Sequence, residues 1–250
     1  MTRVKHCALS LVGEPIIYPH INRFIDLLHE REISTFLVSN AQFPDKMENL
    51  RAVTQLYVSI DAATPESLKE IDRPLFSDFW ERFISSIDSL AKKGQRTVFR
   101  LTLVKEWNME EISNYATLIR RGRPDFIEIK GVTYCGKSDA SSLTISNTPF
   151  HDEVIKFSQA LCDEANRQAN ENGEDIEYEI ASEHEHSLCI LLADKSRFYV
   201  NGMTNFLKLK ERHLAHMDRL PKIPRTRSFR KTIFFDRLHG TNSFLGNLWL

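Results

Sequence analysis

Short apolar runs alternate along this chain with longer stretches in which apolar residues recur every three or four positions. Residues 7–12 read as a buried strand. Residues 19–31 read as an amphipathic helix, with Pro19 in its first turn and Ile21, Phe24, Ile25 and Leu28 on one face. Strands follow at 35–39 and 55–60, the second rich in β-branched and aromatic residues. Thr64 caps a short helix that begins at Pro65. A longer helix over 77–93 ends at Gly94, and a strand spans 97–104. The helix 109–121 is closed by Gly122, the strand 126–134 follows, and the helix 149–172 ends near Gly173. Two further strands, 178–181 and 188–193, are joined by a short charged connection.

Strand and helix in steady alternation predict an α/β fold built from parallel βαβ units. Right-handed crossovers of this kind give an open doubly wound sheet or a barrel. Five consecutive units between residues 7 and 134 favour a partial barrel. There is no GxGxxG and no GxxxxGK[ST], so neither usual phosphate loop is present. A strand so close to Met1 has nothing before it to pair with. The expectation is a barrel that starts one unit late, with an open edge beside residues 7–12.

Composition changes this picture little. The chain has 250 residues, 42% hydrophobic and 27% charged, with a net charge of −1, as expected of a soluble protein with one sizeable core. No apolar run approaches the roughly 20 residues needed to span a bilayer, and no apolar signal region opens the chain, so a cytoplasmic address is expected. Cys7, Cys135, Cys162 and Cys189 are widely spaced, with no CxxC, and read as reduced thiols rather than a metal site. Charge matters more. Residues 201–250 carry 10 Lys and Arg against 3 Asp and Glu, a net of +7. The pattern also fades beyond residue 199: a basic helix is expected over 207–220, then Pro221 and Pro224 break it. Two regions result, a barrel over 1–200 and a divergent, irregular basic tail over 201–250.

Chemistry concentrates where strands end. Gly13 and Glu14 follow the first, Ser39 and Asn40 the second, Ser59 and Asp61 the third. Arg100 and Thr102 lie within the fourth, and Lys130, Gly131, Thr133 and Tyr134 close the fifth. Glu183-His184-Glu185-His186 follows the late strand. Singly, Ser39-Asn40 reads as a turn and Asp61 as a capping acid. Arg100, between Phe99 and Leu101, must instead face a polar interior or pair with an acid. Glu128 and Lys130 share a strand face and either neutralise each other or serve a ligand. The 183–186 stretch is a solvated loop or, in a strand, points His184 and His186 the same way for acid–base or phosphate contact. Together these residues describe a barrel mouth suited to a zwitterionic, polyanionic or adenosine-type ligand.

Several segments carry a resemblance: Leu11-Val12-Gly13-Glu14-Pro15, Leu37-Val38-Ser39-Asn40-Ala41-Gln42-Phe43-Pro44, Gln55 through Ala62, Ile71-Asp72-Arg73-Pro74-Leu75-Phe76, Arg100 through Lys105, Glu128 through Tyr134, and Glu183 through Ser187. Over about residues 4 to 200 the chain resembles the radical S-adenosylmethionine (SAM) enzymes of wybutosine synthesis, the tRNA 4-demethylwyosine synthases. The resemblance implies a partial (β/α)6 barrel of which the first β/α unit is missing here. It implies radical SAM chemistry that builds the tricyclic base next to the anticodon of phenylalanine tRNA from N1-methylguanosine and pyruvate. It places Gly13 and Glu14 at the motif that binds the SAM amino group, which a carboxylate can accept. By strand position, Ser39, Asn40, Ser59, Asp61 and Arg100 line the SAM cavity. Lys130, Tyr134, His184 and His186 face the guanosine or the tRNA backbone.

The departures are specific. The family holds a four-iron four-sulfur (4Fe-4S) cluster with CxxxCxxC, which this sequence lacks, and Cys7 cannot replace it. The flavodoxin-like FMN domain of many eukaryotic members is missing too, and the tail leaves the family pattern. The chain therefore reads as a shortened product, inactive alone. One alternative is a non-catalytic tRNA-binding remnant that uses the mouth and the basic tail. Another, weaker, is an aldolase-type barrel with Lys130 as a Schiff-base former.

Overall fold

A computed structural model describes residues 4–10, 13–136, 142–200 and 203–204. Its framework is a seven-stranded sheet: β1 (His6–Leu9), β2 (Ser34–Ser39), β3 (Gln55–Ser59), β4 (Arg96–Leu103), β5 (Phe126–Gly131), β6 (Tyr178–His184) and β7 (Cys189–Asp194). The spatial order is β1-β2-β3-β4-β5-β7-β6. The first five strands are parallel and adjacent in chain order. Between them run α1 (Ile21–Glu30), α2 (Pro44–Asn49), α3 (Pro65–Asp72), α4 (Phe79–Leu90) and α5 (Ile112–Gly122), and α6 (His151–Glu171) follows β5. The last described elements are α7 (Lys195–Phe198) and a two-stranded ribbon, β8 (Tyr199–Val200) with β9 (Met203–Thr204).

The parallel repeat expected from the sequence holds through β5 and then stops. β6 and β7 form a hairpin, and β7 adds antiparallel to β5. Only three residues of 3-10 helix, Glu185–Ser187, and Leu188 separate the two strands. A connection this short cannot make a parallel crossover, which needs a dozen residues or more. α2 was not foreseen, because six residues give too short a period to read. β5 ends at Gly131, so Thr133 and Tyr134 lie beyond the strand. The basic helix expected over 207–220, and the tail with it, fall outside the described residues.

The two faces of the sheet differ in chemistry. Leu37, Leu56, Val58, Ile60, Phe99, Leu101, Ile127, Ile129, Ile190 and Leu192 belong to one large buried cluster with the apolar faces of the helices. Alternate residues, Val38, Tyr57, Val98, Phe126, Leu191 and Ala193, form a second, smaller apolar cluster on the opposite face. Strand periodicity of two separates these sets. The side turned away from the helices is the one that carries the polar residues. No helix of the described residues is long and apolar enough to cross a membrane.

Candidate functional site

Registers across the sheet stack the open face into rows. The lowest runs Val38, Tyr57, Val98, Phe126 and Ala193, an apolar floor. One step toward the strands' carboxyl ends lie Ser59, Arg100, Glu128 and Leu191. The top row is Thr102, Lys130, Cys189 and His184. Directly opposed residues share a face, so five strands, β3, β4, β5, β7 and β6, deliver the middle and top rows to one side. At strand spacing, Lys130 and His184 stand roughly 10 Å apart across Cys189.

The middle row is knit by a buried network. Glu128 Oε2 accepts from the Tyr57 hydroxyl at 2.9 Å, and Glu128 Oε1 lies 3.7 Å from Arg100 Nε. Burial and the neighbouring Glu128 charge hold the Tyr57 phenol well above its usual range, so it stays a donor. Of the two arrangements open to Glu128, the structure thus supplies a partner other than Lys130. Lys130 itself is pushed down by burial and by Arg100, with Glu128 acting the other way. That softened ammonium is what the aldolase-type alternative asks of Lys130. Burial, and to a lesser degree Glu128, also raises the Cys189 thiol, which is therefore no ready thiolate.

Asp61 joins this group from the end of β3. Burial raises its carboxyl, against hydrogen bonds from the Thr102 side chain and amide and the charge of Arg100. Its backbone carbonyl is fixed by Asn108 Nδ2 at 2.8 Å. Asp72, at the end of α3, was not singled out by sequence. Burial and the Asp61 charge push it up to about 7, although its side chain reaches solvent. Its signal was the Ile71-Asp72-Arg73-Pro74 segment, which no strand-end rule covers.

A second grouping forms where β1 meets β2. Gly13 takes φ +75°, a left-handed conformation that glycine adopts without strain. The turn brings Glu14 to the end of β2, where Glu14 Oε2 accepts the Asn40 amide at 2.8 Å. Burial raises the carboxyl's pKa, against the lowering effect of the Asn40 amide and, to a lesser degree, of the nearby Ser39 side chain and Ile16 amide. Glu14 Oε1 is buried and has no partner among the described residues. A buried carboxylate oxygen left so is costly unless a donor reaches it.

The remaining residues are less gathered. Tyr134 lies three residues past β5, half-buried. His184 ends β6, with Nδ1 2.7 Å from Ser187 Oγ, whereas His186 sits in the 3-10 turn. The two do not share a strand face, which corrects the in-strand expectation, because the chain turns at Glu185. Their rings still meet edge to face, with centroids 6.3 Å apart. The four cysteines are free and scattered over β1, the segment after β5, α6 and β7. No group of three His, Cys, Asp or Glu side chains among the described residues could hold a metal ion.

The radical SAM superfamily profile matches residues 2–119, and that for wyosine base formation matches 121–194. The S-adenosyl-L-methionine-dependent tRNA 4-demethylwyosine synthase of Oryza sativa subsp. japonica is 62% identical over 198 residues, which cover 79% of this chain and 29% of that protein. The synthase TYW1 of Homo sapiens is 60% identical over 199 residues, covering 80% and 26%. The chain thus spans less than a third of the length of these relatives. Among solved structures, TYW1 with a lysine-pyruvate adduct bound superimposes with a TM-score of 0.65 at 29% identity, covering 80% of this chain and 59% of that one. Archaeal TYW1 gives 0.58 at 29%, covering 80% and 60%. The sheet, the two profiles in tandem and the long stretch of high identity agree: the chain belongs to the radical SAM superfamily, in the branch of the tRNA 4-demethylwyosine synthases.

Proposed function

We propose that this chain carries the SAM- and substrate-binding part of a tRNA 4-demethylwyosine synthase, which condenses N1-methylguanosine in phenylalanine tRNA with pyruvate in the cytoplasm. The observation that carries this reading is the buried, unpartnered Glu14 Oε1 inside a stretch 62% identical to such a synthase. An ammonium group is the donor that oxygen lacks, so the residues present fit SAM. In this reading Gly13 and Glu14 hold the SAM amine, and Ser39, Asn40, Ser59, Asp61 and Arg100 line the rest of its cavity. Lys130, Tyr134, His184 and His186 face the guanosine or the tRNA backbone. Bound SAM supplies the hydrogen-abstracting chemistry for which the superfamily is named. The lysine-pyruvate adduct in a structural relative supports pyruvate as the second substrate.

The 4Fe-4S cluster does not fit. Cys162 is buried on α6 with Sγ 3.2 Å from the Tyr178 carbonyl oxygen, and the other thiols lie on separate elements. FMN belongs, in this reading, to the flavodoxin-like domain of longer eukaryotic members. The chain alone binds SAM and tRNA but cleaves no SAM, which leaves it equivalent to a tRNA-binding remnant in activity.

Equilibrium dialysis of labelled SAM tests the assignment. The chain should retain SAM, and Glu14→Gln should weaken binding about tenfold or more, the worth of a charge-assisted hydrogen bond. Equal retention by both forms removes Glu14 from the site. Release of 5′-deoxyadenosine after reconstitution with iron and sulfide contradicts the assigned inactivity.

A further inference from the structure

At the carboxyl end of β5, on the side of the sheet that bears the helices, an aromatic ring stands out from the protein on a firmly tied backbone. Phe150 immediately precedes α6 and is 72% exposed. Isolated exposed apolar residues are ordinary, so exposure alone means nothing. What distinguishes Phe150 is its mounting. Its amide donates to Glu153 Oε2 at 2.8 Å, and its carbonyl accepts the amides of Glu153 and Val154. Pro149, just before it, packs on Gly131, where an added Cβ would come within 3.1 Å of the proline ring. Gly131 is the last residue of β5 and faces the helix side, opposite Lys130, so Phe150 is tied to the end of that strand beside the polar rows rather than within them.

The second element is Lys105. Its Nζ lies 5.7 Å from the centroid of the Phe150 ring and 2.6 Å from Glu153 Oε1. Its backbone is locked as well: its amide donates to the Asn147 carbonyl at 2.8 Å, and its carbonyl accepts Asn147 Nδ2 at 3.1 Å. Glu153, held below its usual range by Lys105 and by the Phe150 amide, stays ionised and keeps the ammonium over the ring. Next along α6, His151 Nε2 is 2.8 Å from Glu183 Oε1, which fastens the start of the helix to the end of β6. The result is an aromatic ring on a fixed backbone, with a cation at one side and most of its surface open to solvent.

We propose that Phe150, backed by Lys105, is a stacking platform for an unpaired nucleobase of the bound RNA. This inference rests on the tRNA reading above and adds to it the residues that grip a base beside the end of β5. Enzymes that work on one base need it out of its stack, and they hold unstacked bases on aromatic faces. Every base presents a π-face, so the platform acts through stacking rather than through its neighbours' identity. The Lys105 charge is already met by Glu153. The contribution of Phe150 should therefore be nearly independent of salt, unlike phosphate contacts.

The test is titration of an anticodon stem-loop RNA with the full chain, as wild type, Phe150→Ala and Phe150→Trp, across a salt series. Thermal melting of each variant checks folding, which an exposed ring should not disturb. Phe150→Ala should lower affinity about five- to hundredfold with an unchanged salt slope, and Phe150→Trp should retain it. If wild type binds and Phe150→Ala binds equally, the platform is overturned while the tRNA reading stands. Loss of affinity in the alanine and tryptophan variants alike also overturns it, since stacking tolerates tryptophan. If wild type does not bind RNA at any salt, both readings fail.

Discussion

Glu128 meets two partners of unlike kind, and their removal should cost unlike amounts. The carboxylate is 6% exposed and Arg100 9%. Glu128→Ala removes the buried carboxylate that the Arg100 guanidinium and the Tyr57 hydroxyl share and should cost about 3 kcal/mol. Tyr57→Phe removes one neutral donor to the same carboxylate and should cost about 1–2 kcal/mol. Urea unfolding of the two variants reads the difference, and a Glu128→Ala protein as stable as wild type would mean that Arg100 is held by something else. At this scale the sequence showed which residues are unusual but not whom they meet. Arg100 between Phe99 and Leu101 demanded a partner, and the alternation over 126–130 put Glu128 and Lys130 on one face. That the partner is Glu128, with Tyr57 as third member 71 positions away, follows only from the registers joining β3, β4 and β5. The Glu14 turn was legible because a left-handed glycine and the acid after it are adjacent in sequence. Asp72 was not, because its raised carboxyl depends on a helix end folding back toward Asp61.

Among the elements, Gly122 shows how a correct boundary can carry the wrong reason. The sequence reading made it the residue that closes a helix. In the structure it lies inside α5, and the left-handed cap is Arg123, at φ +46°. Glycine is needed at 122 for space: a Cβ there would collide with Phe99 Cζ on β4 and come to 3.0 Å of Ile87 Cγ2 on α4. Phe99 and Ile87 are both fully buried, so neither can swing aside into solvent. Gly122→Ala should therefore destabilise the protein by about 1–3 kcal/mol, the cost of overpacking a filled core, despite alanine's better helix propensity. A gain in thermal midpoint on that substitution would show that the α4–α5–β4 packing has slack. Helices with a long apolar face were legible in this way, and so were the five parallel strands. The β6–β7 hairpin was half legible: its short connection already excluded a parallel crossover, but where β7 inserts, beside β5 rather than at the edge, is a matter of long-range pairing.

For the molecule as a whole, the sheet's ends decide its behaviour. β1 stands at one end of the strand order and β6 at the other, so among the described residues each pairs on one side only. β6 is irregular, with a register shift between Ile180 and Ser182, and it bears Glu179 and Glu183, features that discourage edge-to-edge pairing. β1 has neither device. Its four residues, His6–Leu9, carry no carboxylate or lysine; one exposed lysine, Lys5, directly precedes them, and Val4 before it is 64% exposed. A parallel edge of this kind is a template for another strand. The relatives at 60–62% identity are more than three times as long, so the edge of this chain need not be an edge in them. The isolated chain should self-associate through β1, sedimenting as larger species as its concentration rises. A charge at the edge, as in Cys7→Lys, should shift it back toward monomer, while Glu183→Lys at the opposite end should not. If the wild-type chain stays monomeric over the whole concentration range, β1 is not an associating edge.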